Sequence, residues 1–407
     1  MRVKKYKSQN VLSASIDRVN RIFDDFDNIY ISFSGGKDSS VMTHLMLQEA
    51  RKRGRTVGLL IIDLEAQYDD TIRHIEYMVD EYQDCIDLHW VCVPLLLRNA
   101  LTNYEPRWTC WDEEKKDIWV RDMPPMAKTA KDYPFFVDKM EFEEFMVLFG
   151  EWYGGDKKTV ACVGIRADES LHRYRAITAY KHNSTHEDLH WTSKVEKDLY
   201  NAYPIYDWKT EDIWRFHGKY SNLRHNEIYD KMNMAGVKLS QQRLCQPYGD
   251  DQRQGLWLYH ILEPETWGKV INRVNGANSG ALYIRETGNM TGYNKISKPE
   301  GHTWESFTNL LLSTLPQKTS EHYKKSFKKF IVSWQDRGYV KIPDEAPHDL
   351  EVTQWAPSWK RMAKTILRND YWCKGLGQSQ PKSEAYVRFK MLKKEKEMIK
   401  NGEIDER

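Results

Sequence analysis

The six cysteines, Cys85, Cys92, Cys110, Cys162, Cys245 and Cys373, include no C-x-x-C pair, so spacing supports neither an iron–sulfur cluster nor a zinc ribbon. Scattered thiols in a chain of 407 residues fit a reducing cytosol. No apolar stretch approaches the length of a membrane span, and the basic start Met1 to Lys7 leads into no apolar leader segment. The expectation is a cytoplasmic protein with no membrane partner. An excess of one charge is also missing. With 61 basic and 59 acidic residues the net charge is +2, and such a balance argues neither for nor against nucleic acid, which only a local patch can decide. There is no internal repeat and no low-complexity tract. Hydrophobic residues make up 40% of the chain, enough to bury the cores of two domains.

The stretch around which the chain is arranged is Ser34-Gly35-Gly36-Lys37-Asp38-Ser39. Residues 28–33 before it are β-branched and aromatic, as a short buried strand would be, and residues 40–47 after it have helical composition, with Gly54 placed to end the helix. Adjacent glycines let the backbone turn with positive φ and approach a ligand, while N–H groups at a helix start converge on an anion. Lys37 adds a full positive charge, and Ser34 and Ser39 add hydroxyls. Asp38 would repel a bare phosphate, which points to Mg²⁺ between its carboxylate and phosphate oxygens. Both Lys37 and Asp38 are expected on an exposed loop. This is not the G-x-x-x-x-G-K-[ST] loop, because the glycines are adjacent and an acid follows the lysine. A Gly-Gly turn that merely caps a helix is the plain alternative. The stretch resembles the pyrophosphate loop of the adenine nucleotide α-hydrolase-like superfamily, whose members bind or cleave adenine nucleotides at the α-phosphate.

Elsewhere the pattern alternates strand and helix. Leu12, Ile16, Val19, Phe23 and Phe26 step by four and three, an amphipathic helix. Residues 56–63 form a near-continuous apolar run ending in Asp63, which reads as a central parallel strand with the acid at its ligand-binding end. Asp69 and Asp70 precede the next helix, and residues 86–93 read as a third strand. Between Tyr104 and Gly155 the rhythm breaks, indicating an insertion over residues 104–158 whose stripe Phe142, Phe145, Phe149 and Trp152 reads as core. Residues 159–164 resume the sheet, and a helix starts near Thr210 with Asp207 or Thr210 as its cap. After about Ser240 the alternation stops. Glycine-rich loops and helical stretches follow, so the expected domains are 1–239 and a mainly helical 240–407.

Straight after residues 159–164 come Arg166, Glu169 and Arg173. On a helix these share a face, and Glu169 precedes Arg173 by the favourable four residues. Two guanidiniums held there can receive phosphate or sulfate through planar donors; the alternative is an exposed, salt-bridged helix turn. In order, S-G-G-K-D-S, V-G-I-R-A-D-E-S-L-H-R and Y-P-I-Y-D-W-K-T-E-D-I-W resemble the motifs of the phosphoadenosine phosphosulfate (PAPS) reductase family over roughly residues 28–235. R-L-C-Q-P-Y-G-D-D-Q and W-x-P-S-W-K-R…N-D-Y-W-C-K-G-L-G are similar to the immunoglobulin-binding regulator branch, which carries a C-terminal domain of unknown function. The resemblance implies a Rossmann-like (HUP-type) parallel sheet with helices on both faces plus a mainly helical C-terminal domain. It also implies adenine-nucleotide binding, with Ser34, Gly35, Gly36, Lys37, Asp38 and Ser39 at the phosphates, and Asp63, Gly164, Arg166, Glu169 and Arg173 around the ligand.

Departures limit the chemistry. The family's reductases use a cysteine in a C-terminal Glu-Cys-Gly motif; this chain has none, and Trp372-Cys373-Lys374-Gly375 is a poor substitute. Residues 63–71 lack the family's usual Gly and Pro. Cys245, beside Asp250, Asp251 and Arg253, reads either as a buried thiol or as a reactive one. Two functions follow as expectations. One is Mg²⁺-dependent cleavage of ATP between its α- and β-phosphates to adenylate an acceptor, with Lys37, Asp38, Arg166 and Arg173 as the catalytic set and ATP or PAPS as ligand. The other is a non-catalytic, nucleotide-responsive module, such as a transcriptional regulator, working with nucleic acid or a regulatory protein. Tyr323, Phe327, Phe330 and Trp334 step by four, three and four, an inward helix face flanked by Lys324, Lys325, Lys328 and Lys329. From Lys318 to Lys341 seven basic residues stand against two acids, a local patch suited to phosphates of DNA or RNA, or simply a solvated lysine face.

Overall fold

The computed structural model describes residues 8–178, 185–187, 189–244, 246–249, 252–277 and 296–400. The chain divides into two compact units. The first is Met1–Leu95 with Cys110–Leu244 and Ile261–Glu263, and the second is Leu96–Thr109 with Cys245–His260 and Pro264–Arg407. The main division falls after residue 244, and the segment Leu96–Thr109, on the border of the expected insertion, groups with the C-terminal unit. Among the described residues no helix is long and apolar enough to cross a membrane.

The first unit is built on a seven-stranded sheet. Its elements, in chain order, are α1 (Val11–Asp25), β1 (Asn28–Ser32), α2 (Lys37–Arg53), β2 (Val57–Ile62), α3 (Asp69–Glu81) and β3 (Ile86–Val91). The short strands β4 (Leu96–Arg98) and β5 (Arg107–Thr109) intervene and pair antiparallel in the second unit. The first unit continues with β6 (Ala127–Lys128), α4 (Phe142–Gly154), β7 (Thr159–Val163), α5 (Leu171–Thr178), β8 (Thr192–Glu196), β9 (Leu199–Ala202), α6 (Thr210–Lys219) and α7 (Ile228–Met234). The strand order is β6-β3-β2-β1-β7-β9-β8, and every pairing in this sheet is parallel except β8 with β9.

β1 is central, with β2 on one side and β7 on the other, so the chain's progress across the sheet reverses there. Parallel crossovers are right-handed, and the reversal therefore sends helices to both faces, the Rossmann-like architecture expected from the sequence. α4 covers one face: Tyr30 meets Phe149 and Tyr153 edge-on, and His89 meets the same two rings. That face needs Gly58, because a Cβ there would lie 2.7 Å from the Tyr153 ring and 2.8 Å from Tyr30 Cβ. The expected aromatic stripe is core at Phe145 and Phe149, whereas Trp152 stays 39% exposed. The insertion does more than cover the sheet, since it supplies the edge strand β6.

Two local details differ from the sequence expectation. On α1, Ile16 faces solvent and Ser15 faces inward, because the Ser15 hydroxyl accepts from Trp208 Nε1 at 2.8 Å and donates to Pro204 O at 2.9 Å. α6 is capped by Lys209, whose N–H donates to Asp212 Oδ2 at 2.9 Å. Asp207 instead pairs with Arg18 at 2.6 Å.

The second unit is mainly helical, with helices at Pro264–Arg273, Trp304–Thr314, Gln317–Gln335, His348–Val352, Trp359–Leu367 and Glu384–Lys400. Tyr323, Phe327, Phe330 and Trp334 form the expected inward stripe and pack with Leu312, Ile342, Met362, Ile366, Cys373 and Leu376. Lys324, Lys325, Lys328 and Lys329 are exposed on the same helix.

Candidate functional site

The reversal between β1 and β7 opens a crevice at their carboxyl ends, the place where parallel sheets take ligands. The loop after β1 leaves the sheet at that end. Gly35 has φ +70, and a Cβ there would lie 2.7 Å from Thr71 Cγ2, so only glycine fits both the turn and the space. Asn226 Nδ2 lies 2.9 Å from both Gly35 O and Thr71 Oγ1, pinning the loop against α3. Gly36 is the N-cap of α2, and Ser40 N donates to Gly36 O at 2.8 Å to close the first turn. The N–H groups of Asp38 and Ser39 in that turn have no hydrogen-bond acceptor among the described residues, as the open start of a helix requires. The Ser34 and Ser39 hydroxyls lie 3.0 Å apart beside them.

Lys37 is not on an exposed loop: it is 5% exposed. Its N–H donates to the Tyr229 hydroxyl at 3.1 Å, and Nζ donates to Gln242 O at 3.0 Å while lying 5.0 Å from the Tyr229 ring centre. The reason is tertiary, since the segment carrying α7 folds over the loop. Lys37 Nζ also sits 3.3 Å from Asp38 Oδ2, and Arg166 Nε donates to Asp38 Oδ1 at 2.5 Å. Asp38, the expected Mg²⁺ ligand, is therefore held by two cations. A single carboxylate already neutralised on both oxygens does not fit a protein-held divalent cation.

Arg166 is 2% exposed and reaches Trp208 O at 3.5 Å and Thr210 Oγ1 at 3.3 Å. The third sequence motif thus acts as the cradle of the second. The expected common helix face of Arg166, Glu169 and Arg173 does not form, because α5 begins only at Leu171 and Arg166 sits in the loop that leaves β7. Glu169 and Arg173 do pair at 3.1 Å, but Arg173 is 43% exposed and none of its bonds among the described residues reaches the loop. Gly164 has a geometric role: a Cβ there would lie 2.7 Å from Ser39 Cα, so its bareness lets β7 abut the first turn of α2.

Asp63 is completely buried, and its carboxylate is already engaged. Oδ1 accepts from Glu65 N at 2.9 Å, while Oδ2 accepts from Trp90 Nε1 at 2.8 Å and pairs with Arg121. Glu65, also buried, accepts from Trp111 N and Val120 N. These two acids bind the insertion to the sheet.

Sequence reasoning did not single out Asn226, Tyr229, Gln242 or His217. His217 Nε2 lies 3.5 Å from Lys37 O, and burial pushes its pKa down to about 4. His74, 2.8 Å from Ser40 Oγ, is pushed down to about 3 by burial. Both imidazoles are neutral at pH 7. No spacing or motif marked these residues, because they reach the loop from segments far along the chain.

Residues 28–248 match the phosphoadenosine phosphosulfate reductase domain, more than half of the chain, and residues 236–346 and 338–386 match a domain of unknown function (DUF3440). The uncharacterized protein YbdN of Escherichia coli (strain K12) is 38% identical over 383 residues, which cover 93% of each chain. The chain belongs to the PAPS reductase family. Two solved structures overlap part of this family member. The Candida glabrata FMN adenylyltransferase in complex with FAD and inorganic pyrophosphate is 18% identical, with TM-score 0.31 over 55% of this chain and 64% of that one. The phosphate complex of PAPS reductase from Candida auris is 11% identical, with TM-score 0.27 over 56% and 93%.

For a PAPS reductase family member the thiols are unpromising. Cys85, Cys92, Cys110, Cys162 and Cys373 are all buried. Burial pushes the Cys373 thiol up to about 12, and the thiols of Cys85, Cys92 and Cys162 are likewise pushed up by burial. A reductive nucleophile needs the opposite, an accessible thiolate. Cys245, Asp250 and Asp251 lie outside the described residues, as does most of the glycine-rich stretch after Asn275.

Proposed function

We propose that this PAPS reductase family member binds an adenine nucleotide at the β1/β7 crevice, with the polyphosphate on the first turn of α2, and cleaves ATP between its α- and β-phosphates, passing the adenylyl group to an acceptor or to water as pyrophosphate leaves. The observation that carries this reading is the open pair of N–H groups at Asp38 and Ser39 flanked by Lys37 and Arg166. Two cations against the one carboxylate of Asp38 leave an excess positive charge, enclosed where an anion is stabilised more strongly than in water. On phosphate arrival, Lys37 and Arg166 exchange part of their pairing with Asp38 for the ligand's oxygens. Charge developing on the departing pyrophosphate would meet donors already oriented by Gln242, Tyr229 and Thr210. ATP fits this use; PAPS is the alternative ligand of the same site. Arg173, exposed and paired with Glu169, has at most a role in receiving the acceptor.

One observation favours the non-catalytic reading. The His217 and His74 imidazoles beside the loop are buried, with pKa values pushed down to about 4 and about 3 by burial, so each is a weak base at neutral pH, and Asp38 is tied to two cations. In that reading the nucleotide would rearrange the Lys37–Asp38–Arg166 cluster and signal through the segment that covers it. The lysines of helix Gln317–Gln335 then offer a nucleic-acid contact. Incubation with α-phosphate-labelled ATP and Mg²⁺ separates the two. AMP and pyrophosphate in stoichiometric turnover support the enzyme, saturable binding without turnover supports the module, and absence of binding to both ATP and PAPS overturns both.

A further inference from the structure

The C-terminal unit contains a cavity of about 380 Å³, lined by residues of that unit alone. One wall comes from helix Trp359–Leu367 and the residue that ends it, where Arg361, Lys364 and Arg368 step by three and four and so share a face. Glu351, Gln354, Thr365, Asp370 and His348 complete the polar lining.

The two acids are already committed. Glu351 accepts from Ser358 Oγ at 2.5 Å and from Lys364 Nζ at 3.3 Å. Asp370 accepts the backbone N–H groups of Lys374 at 3.0 Å and Gly375 at 2.7 Å, closing a turn. Arg361, 6% exposed, gives Nη1 to Ala356 O at 2.5 Å and Nη2 to Gly375 O at 2.8 Å, bonds that fix the guanidinium without neutralising it. Arg368 has no ion pair and no side-chain hydrogen bond among the described residues. Three cations therefore face a cavity in which only two acids stand against them.

The backbone that shapes this cavity is unusual. Gln354, which lines it, has φ +62, and Asn369 and Cys373 next to its wall have φ +48 and +53. Asn369 follows the end of helix Trp359–Leu367, where asparagine takes the left-handed conformation readily, whereas Gln354 and Cys373 hold it only with support from surrounding structure, as at ligand clamps. The segment also contains the W-x-P-S-W-K-R and N-D-Y-W-C-K-G-L-G stretches, to which the loop chemistry of the first unit assigns no role.

We propose that this cavity binds a small molecule through a phosphate or sulfate group, with Arg368 and Lys364 as its anion donors and Arg361 as the fixed charge behind them. Guanidiniums match pairs of tetrahedral oxyanion oxygens, and the volume lies within the range of roughly 300–1,000 Å³ typical of small-molecule sites.

The test is calorimetric titration of the full chain with inorganic phosphate and, separately, with sulfate at constant ionic strength. The parent is compared with Lys37→Ala, which disables the loop of the first unit, and with Lys364→Gln/Arg368→Gln. Urea unfolding confirms that each variant is folded, and Arg368→Gln alone serves if the double variant is not. Saturable phosphate or sulfate binding should survive Lys37→Ala and weaken by about tenfold or more, about 1.4 kcal/mol, in the double variant. Binding abolished by Lys37→Ala and untouched by the double variant would overturn the proposal. So would the absence of saturable binding of both ions. Preference for a single-stranded oligonucleotide over both ions, lost in the double variant, would also overturn it, by assigning this face to nucleic acid.

Discussion

Arg166 Nε donates to Asp38 Oδ1 at 2.5 Å, joining the loop that leaves β7 to the first turn of α2. They follow β7 and β1, the two strands between which the sheet reverses, so this ion pair bridges the crevice where a ligand would enter. Both side chains are largely enclosed, with 3% and 14% of their surface exposed.

Asp38→Ala leaves the Arg166 charge enclosed without its carboxylate, a change that costs roughly 3 kcal/mol when a buried pair loses one member. Asp38→Ala/Arg166→Ala should then be less destabilised than the sum of the two single changes, because each single variant strands the other charge. Urea unfolding of the three variants gives the coupling. Strict additivity would show that the pair does not act as a unit.

Lys37→Met keeps the aliphatic stem in its enclosure and removes the charge. The fold should persist, with ATP or PAPS binding weakened by about tenfold or more, measured with and without Mg²⁺. Unaltered affinity for both nucleotides would take the phosphates away from this loop.

Gly164→Ala tests the close approach of β7 to α2. The new Cβ would lie 2.7 Å from Ser39 Cα, a backbone atom that can retreat only if the first turn of α2 shifts. A loss of roughly 2 kcal/mol in stability is expected, together with weaker nucleotide binding. By contrast, a Cβ at Gly218 meets nothing within 4 Å. Gly218→Ala, in the exposed part of α6, is the control and should be neutral to slightly stabilising in the same unfolding assay.

Glu263 supplies a pH dependence. It is 8% exposed, and burial first, then Asp69, pushes its carboxyl up to about 7. Oε1 accepts from Asp69 N at 2.7 Å, Oε2 has no hydrogen-bond partner among the described residues, and Asp70 and Lys231 are the other nearby charges. With the folded pKa above the unfolded one, the stabilising contribution is complete below the unfolded value and is lost as pH rises through about 7. Glu263→Gln keeps the acceptor and removes the titration. Relative to the parent, the variant should gain roughly 2–3 kcal/mol between about pH 4 and about pH 8. A pH-independent difference in unfolding midpoints would contradict this.

If helix Gln317–Gln335 contacts nucleic acid, binding of a duplex should fall steeply with salt and fall again when Lys324, Lys325, Lys328 and Lys329 become glutamine, whatever the duplex sequence. Filter or fluorescence binding at two salt concentrations decides the matter. Indifference to the four substitutions would leave these lysines as solvated surface.

Much of the first unit was legible in the chain because its signals are local. The apolar run of β2, the acids that precede α3 and the paired glycines between β1 and α2 each depend on residues a few positions apart, as does the aromatic spacing of Gln317–Gln335 in the second unit. Backbone geometry turns such spacings into strands, turns and buried faces without reference to the rest of the fold. The reversal at β1, the burial of Lys37 and the pairing of Arg166 with Asp38 were decided by tertiary structure. Arg166 lies far from Asp38 in sequence, and its side-chain direction depends on where β7 ends and where Trp208 and Thr210 return. Lys37 is covered because Tyr229 and Gln242 come back over it. Asp63 looked like a ligand contact by its position at a strand end, yet Arg121 and Trp90 had the geometry to claim it. Which donor satisfies a buried charge is settled only when distant segments meet, since unpaired burial is costly and the nearest well-placed partner takes the bond.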